Sequence, residues 1–164
     1  MENGRLRVLD IGANKFSYKG CISLAQYLKG DECSLESLIM NNNRTGYFGA
    51  RAMASAITVN KTLVHLDMTT NDINDDGLFL IAKALRKNEI LVSVKLFYNH
   101  FEQKSVSEFH KLINEENTAR SSDWFLDFET NLVDDLPQIA YLESSLPYEI
   151  FPTKKYFVNL NLVN

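Results

Sequence analysis

One stretch limits what this chain can fold into. From position 63 it reads Leu63-Val64-His65-Leu66-Asp67-Met68-Thr69-Thr70-Asn71-Asp72-Ile73, an L-x-x-L-x-L-x-x-N-x-I motif, then Gly77 and an apolar stripe through Ile81, Ala82 and Leu85. The pattern occurs in four copies, starting at 6, 35, 63 and 91, with successive spacings of 29, 28 and 28 residues. Self-similarity at a fixed period means stacked units, each too small to bury its own apolar face.

The spacing within a unit predicts its local structure. Leu66 and Met68 alternate with His65, Asp67 and Thr69, so a short strand buries the first pair and exposes the second set. The chain must then turn inward, stranding backbone groups that an asparagine amide can satisfy. Asn14, Asn43, Asn71 and Asn99 occupy this position and are expected to stack as a ladder. Asn60 and Asn88 are expected to tolerate alanine with little effect. Asp75 or Asp76 is expected to cap the helix that follows. Leu78, Ile81, Ala82 and Leu85 form the buried stripe of that helix. The matching stripes are Ile22, Leu24, Ala25 and Leu28; Met53, Ala54 and Ile57; and Phe109, Leu112 and Ile113.

About 13 residues return after each asparagine turn, enough for a true α-helix. The four copies resemble the ribonuclease-inhibitor class of leucine-rich repeats, also found in intracellular immune sensors and in the Ran GTPase-activating protein. The resemblance implies an α/β solenoid: a short parallel sheet on the concave side and helices on the convex side. The repeats divide as 6–34, 35–62, 63–90 and 91–118. The fourth departs from the pattern, with Ser105 for the glycine and His110 for the small alanine, and predicts altered helix packing there.

Residues 119–164 do not continue the repeat and form a β-rich C-terminal capping segment and tail. Trp124, Leu126 and Phe128 alternate with Phe125, Asp127 and Glu129, a strand signal suited to covering the last repeat. Trp124 is the expected cap residue, and truncation after Thr118 is expected to promote aggregation. Phe125-Leu126-Asp127-Phe128, Val133-Asp134 and Ile139-Ala140-Tyr141-Leu142-Glu143 resemble the C-terminal segment of some leucine-rich-repeat proteins of cilia and flagella. That likeness implies an axonemal or microtubule-associated role. At the other end, Met1–Arg5 is too short to cover Leu6, Leu9, Ile11 and Phe16. Either the chain is part of a longer array or another protein docks on this edge.

Charge and composition exclude several classes. A net charge of -4 argues against a general nucleic-acid binder. No apolar run approaches the ~20 residues of a membrane span, so no membrane insertion is expected. Cys21 and Cys33 are expected to be reduced thiols in a reducing, cytoplasmic compartment.

No catalytic constellation appears, and no cofactor is expected. His65 and Asp67 share a strand face but lack a third ligand and a nucleophile. His100 and His110 are separated by a turn, Asp134-Asp135 lacks a calcium ligand count, and Arg44 matches an arginine finger by fold analogy alone. The expected contact surface is the concave face: Val8, Asp10, Gly12, Ser37, Ile39, Asn41, His65, Asp67, Thr69, Ser93, Lys95 and Phe97, with neighbouring Tyr98. Ile39, Phe97 and Tyr98 are its candidate anchors, since aromatic residues are enriched in interfaces. The functional expectation is a non-enzymatic interaction scaffold, a small subunit of a larger intracellular assembly. The alternatives are an enzyme regulator of the GTPase-activating or inhibitor type, and a fragment of an immune-sensor-like receptor.

Overall fold

A computed structural model describes residues 6–114 and 125–127. Strands and helices alternate: β1 (Val8–Asp10), α1 (Tyr18–Leu28), β2 (Ser37–Ile39), α2 (Gly46–Ile57), β3 (His65–Asp67), α3 (Asp75–Lys87), β4 (Ser93–Lys95), α4 (Gln103–Asn114) and β5 (Phe125–Asp127). The strands form one sheet in chain order, parallel throughout. Each helix packs on the helix of the next repeat.

The register lines up equivalent positions. Leu9, Leu38, Leu66, Val94 and Leu126 are paired in one row. Leu38, Leu66 and Val94 are buried, as are Leu78, Ile81, Ala82 and Leu85 on the facing helix. β5 adds a strand in phase, although it follows β4 at a wider spacing than the repeat period. The remainder of the expected cap, Trp124 included, lies outside the described residues.

In the first helix the stripe is shifted. Cys21, Ala25 and Leu28 are buried while Ile22 is 44% exposed; among the described residues α2 is the one helix packed on α1. Burial pushes the Cys21 thiol up to about 12, so it stays protonated at neutral pH. Cys33 is also buried, and both are free.

The glycine of each repeat marks a close approach. A Cβ on Gly77 would sit 2.8 Å from Ile73 Cγ2 and 3.0 Å from Ala50 Cβ of the preceding helix. In the fourth repeat Ser105 fills this place and is fully buried. Its hydroxyl donates to the Glu102 carbonyl, and its N–H donates to the Asp75 carboxylate. α4 stays in the stack on α3, with Val106, Phe109 and Leu112 in the core.

That carboxylate corrects the capping expectation. α3 is capped by Asn74, whose side chain accepts from the Gly77 N–H. Asp75 reaches across to the next repeat and accepts from Glu102 and Ser105 at the start of α4. Asp76 pairs with Lys104 of the same helix. Asp75 thus serves the positive end of the neighbouring helix, while Asp76 adds an exposed ion pair beside it.

The ladder of asparagines is present, with a gap. Asn43 donates to the carbonyls of Ile11, Met40 and Asn41 and accepts from the N–H groups of Asn14 and Phe16. Asn99 donates to Met68 and Leu96 and accepts from Asn71 and Ile73. Asn71 donates to Met40 and Thr69, but its Oδ1 is buried without a partner. The reason lies one repeat earlier. There the Asn43 N–H donates to the Thr70 carbonyl and the Gly46 N–H to the Asn71 carbonyl. Gly46 takes the positive φ (55°) that Lys15 and Asp72 supply in the neighbouring turns. The side chain of the first, exposed asparagine, Asn14, donates to the Gly12 carbonyl of its own turn.

A second ladder runs along the other edge, where helices return to strands. Asn60 donates to the Leu28 carbonyl and accepts from Thr62 and Leu63. Asn88 donates to Ile57 and Asn60 and accepts from Ile90 and Leu91. Both are buried. The expectation that these two tolerate alanine is therefore wrong: they satisfy helix-end carbonyls that have no partner inside the helix.

Candidate functional site

The concave face consists of parallel rows set by strand register. Val8, Ser37, His65 and Ser93 form one row; Asp10, Ile39, Asp67 and Lys95 form the next. Ile39, Asp67 and Lys95 are thus brought side by side from three repeats. Asn41 and Phe97 follow two residues further along their own strands and are half-buried. Thr69 belongs to the same level but is only 6% exposed. Its hydroxyl is buried rather than presented on the concave face, which removes it from the expected contact surface. The Asp67 carboxylate accepts from the Thr69 N–H, and Asp10 does the same for Gly12.

Phe97 and Tyr98 form an edge-to-face pair with centroids 5.3 Å apart, a favoured aromatic geometry. Tyr98 is 48% exposed and held at φ 55°. Ala13, Asn42 and Thr70, the equivalent residues before each ladder asparagine, share this left-handed conformation. Only Asn42 is of a type that favours it. The fold therefore pins a large aromatic ring at the rim of the sheet in a backbone state that costs about 1–3 kcal/mol.

The N-terminal edge of the described sheet is β1. Leu6, Leu9, Ile11 and Phe16 pack against the core but remain half-buried, and Val8 is 59% exposed. The same positions in the second repeat, Leu35, Leu38 and Met40, are fully buried.

Among the described residues the other candidate chemistry does not assemble: no group of three or more His, Cys, Asp or Glu side chains could hold a metal ion. The Arg44 N–H donates to the Phe16 carbonyl, which ties its turn to the first repeat. His100 is exposed and His110 half-buried, on a turn and a helix respectively. Asp134-Asp135 and the tail residues Val133, Asp134 and Ile139–Glu143 lie outside the described residues. So do residues 1–5.

The Leucine Rich repeat family matches residues 5–25 and 59–82. The solved structure of leiomodin-1 actin-binding site 2 superposes with a TM-score of 0.64, covering 87% of this chain and 82% of that one at 18% identity, a likeness of fold. The chain is a leucine-rich-repeat protein. Curated relatives are multidomain by name. NACHT, LRR and PYD domains-containing protein 14 of Mus musculus is 28% identical over 80% of this chain. Protein 12 of the same series in Mus musculus is 34% identical over 51% of it, and protein 5 of Homo sapiens is 28% identical over 49%. The chain spans only 13%, 8% and 7% of their respective lengths. Among the described residues of this leucine-rich-repeat protein no helix is long and apolar enough to cross a membrane.

Sequence reasoning missed two features of this leucine-rich-repeat array. The Asn60–Asn88 ladder was readable from its spacing of 28 residues, the repeat period. A basic groove between α2 and α3 had no such signal, because its residues come from two repeats.

Proposed function

We propose that this chain is a non-enzymatic protein-binding module that works as a scaffold in a larger assembly and contacts its partner through the concave face. The observation that carries this reading is the row structure of the sheet. It sets Ile39, Asp67 and Lys95 side by side and fixes the Phe97–Tyr98 pair beside them. An apolar and aromatic anchor flanked by one acid and one base is the composition of an interface core with a polar rim. Leu6, Leu9, Ile11 and Phe16 offer a second contact, where a neighbouring subunit's edge would complete their burial.

The test compares wild type with a variant carrying Lys95→Glu and Tyr98→Asn, both immobilised for capture from cell extract. A partner lost on this variant and retained on Phe48→Ala, which lies on the opposite side, supports the concave face. Retention of every captured protein by the concave variant refutes it.

A second reading takes the array as one segment of a multidomain receptor. It is favoured by the relatives, whose names place leucine-rich repeats beside NACHT and PYD domains. In that case the reading frame upstream of Met1 encodes a nucleotide-binding domain; its absence from the gene removes this reading.

A further inference from the structure

The convex side carries a groove of about 630 Å³ between α2 and α3. Its floor is apolar, with Ala54 and Ala84 keeping it low and Leu80 half-buried along it. Its walls carry Arg51 from α2 and Lys83, Arg86 and Lys87 from α3, and no carboxylate lines it. Four cations around one groove oppose a chain whose net charge is -4.

Part of this charge has a local reason. Arg86 and Lys87 stand in the last turn of α3, where cations suit the helix dipole. Arg86 also pairs with Glu108 at 2.7 Å, and the Lys83 ammonium lies 4.6 Å from the Phe79 ring centroid. Arg51 has neither reason, since it sits in the middle of α2. Among the described residues neither Arg51 nor Lys87 has an ion-pair partner.

We propose that the α2–α3 groove binds an acidic peptide segment of a partner protein, with carboxylates on Arg51, Lys83 and Lys87 and an apolar side chain on Leu80. The form of the groove selects this occupant. Lys83 and Lys87 are four residues apart on one helix, so their charges are spaced one turn along it. With Arg51 on the other helix and Ala54, Leu80 and Ala84 also lining the groove, the site suits a ligand that carries both acids and an apolar group rather than a lone phosphate. A peptide with acids one turn apart matches that spacing and leaves an apolar residue for the floor. This surface faces away from the sheet, so its partner does not compete with a concave-face ligand.

The experiment is a fluorescence-anisotropy titration of the full chain. The probe is a labelled peptide of about 12 residues, roughly three helical turns, made of glutamate with two leucines four residues apart. A second peptide replaces every glutamate with glutamine. The glutamate peptide is expected to bind saturably and to weaken as salt rises, because exposed pairs are screened. The glutamine peptide is expected not to bind. Arg51→Glu with Lys87→Glu is expected to weaken binding by about tenfold or more, while Lys15→Glu with Lys19→Glu leaves it within about twofold. Lys95→Glu with Tyr98→Asn leaves it unchanged, which separates this site from the concave face. If the double reversal fails to fold, Arg51→Gln and Lys87→Gln singly are each expected to lose about two- to threefold. No saturable binding, equal loss in both double reversals, or equal affinity for the glutamine peptide overturns the proposal. Self-association abolished by the Arg51 and Lys87 reversals gives the groove to a second copy of the chain, and also overturns it.

Discussion

Asn88→Ala probes the second asparagine ladder. Among the described residues the wild-type side chain makes four hydrogen bonds to backbone: it donates to Ile57 O at 2.6 Å and Asn60 O at 3.0 Å, and accepts from Ile90 N at 2.9 Å and Leu91 N at 2.7 Å. Alanine removes all four. Ile90 is exposed, so its N–H recovers a bond from water. The Ile57 and Asn60 carbonyls and the Leu91 N–H do not. Each buried group left without a partner costs about 1–3 kcal/mol, so three of them cost roughly 3 kcal/mol even at the low end. That is a large part of the ~5–15 kcal/mol that holds a domain folded. Urea unfolding followed by circular dichroism is the assay. With a slope of ~1–3 kcal/mol/M, the midpoint should fall by roughly 1–3 M with the slope unchanged. Asn88→Asp should do no better, because it keeps the acceptor for Ile90 and Leu91 but sets a negative charge against two carbonyls. A midpoint for Asn88→Ala within about 0.3 M of wild type would show that this asparagine is the dispensable residue its sequence context suggests.

Four further outcomes are expected. Asn71→Ala should cost about 1–3 kcal/mol, and Asn99→Ala more, because Asn99 Oδ1 accepts two bonds where Asn71 Oδ1 accepts none; the reverse order of melting temperatures contradicts the ladder described. Gly77→Ala should destabilise by about 1–3 kcal/mol through overpacking, against a helix-propensity gain of about 1 kcal/mol; a variant melting above wild type means that Ile73 and Ala50 yield. Burial pushes the Glu108 carboxyl up, but its bonds to Arg86 and Lys111 outweigh that and hold it below the usual value. Its stabilisation is therefore present above the unfolded pKa of ~4.3 and lost as pH falls through the lower folded value. Glu108→Gln should cost about 1–3 kcal/mol at neutral pH, with the difference shrinking in acid; a constant difference down to about pH 2 argues against the ion pair. Finally, amides of residues 7–11 should exchange faster than those of 64–68 in the isolated chain, because an end repeat has one neighbour; equal protection in a demonstrated monomer removes the argument for an open edge.

The sequence by itself determined the architecture. A residue that must be buried at every turn of a stacked array has to be apolar at every repeat, so Leu38, Leu66 and Val94 announce themselves by spacing, as do Asn43, Asn71 and Asn99 at the inward turn. What the sequence could not determine is where a side chain reaches once repeats are stacked. Asp75 reads as the cap of its own helix because capping is normally local; only the stack places α4 close enough to take it. Asn60 and Asn88 read as loop residues until the helix ends above them are in place. Thr69 reads as a strand residue facing outward, yet the tight turn that follows draws it inside. The basic groove exists only between helices, since Arg51 and Lys87 are far apart in the chain and each alone is an ordinary surface cation. Local pattern reports which residues must be buried, because burial is decided by each residue's own chemistry. Tertiary structure decides which polar groups meet, because that depends on distances between units which the repeat period does not encode.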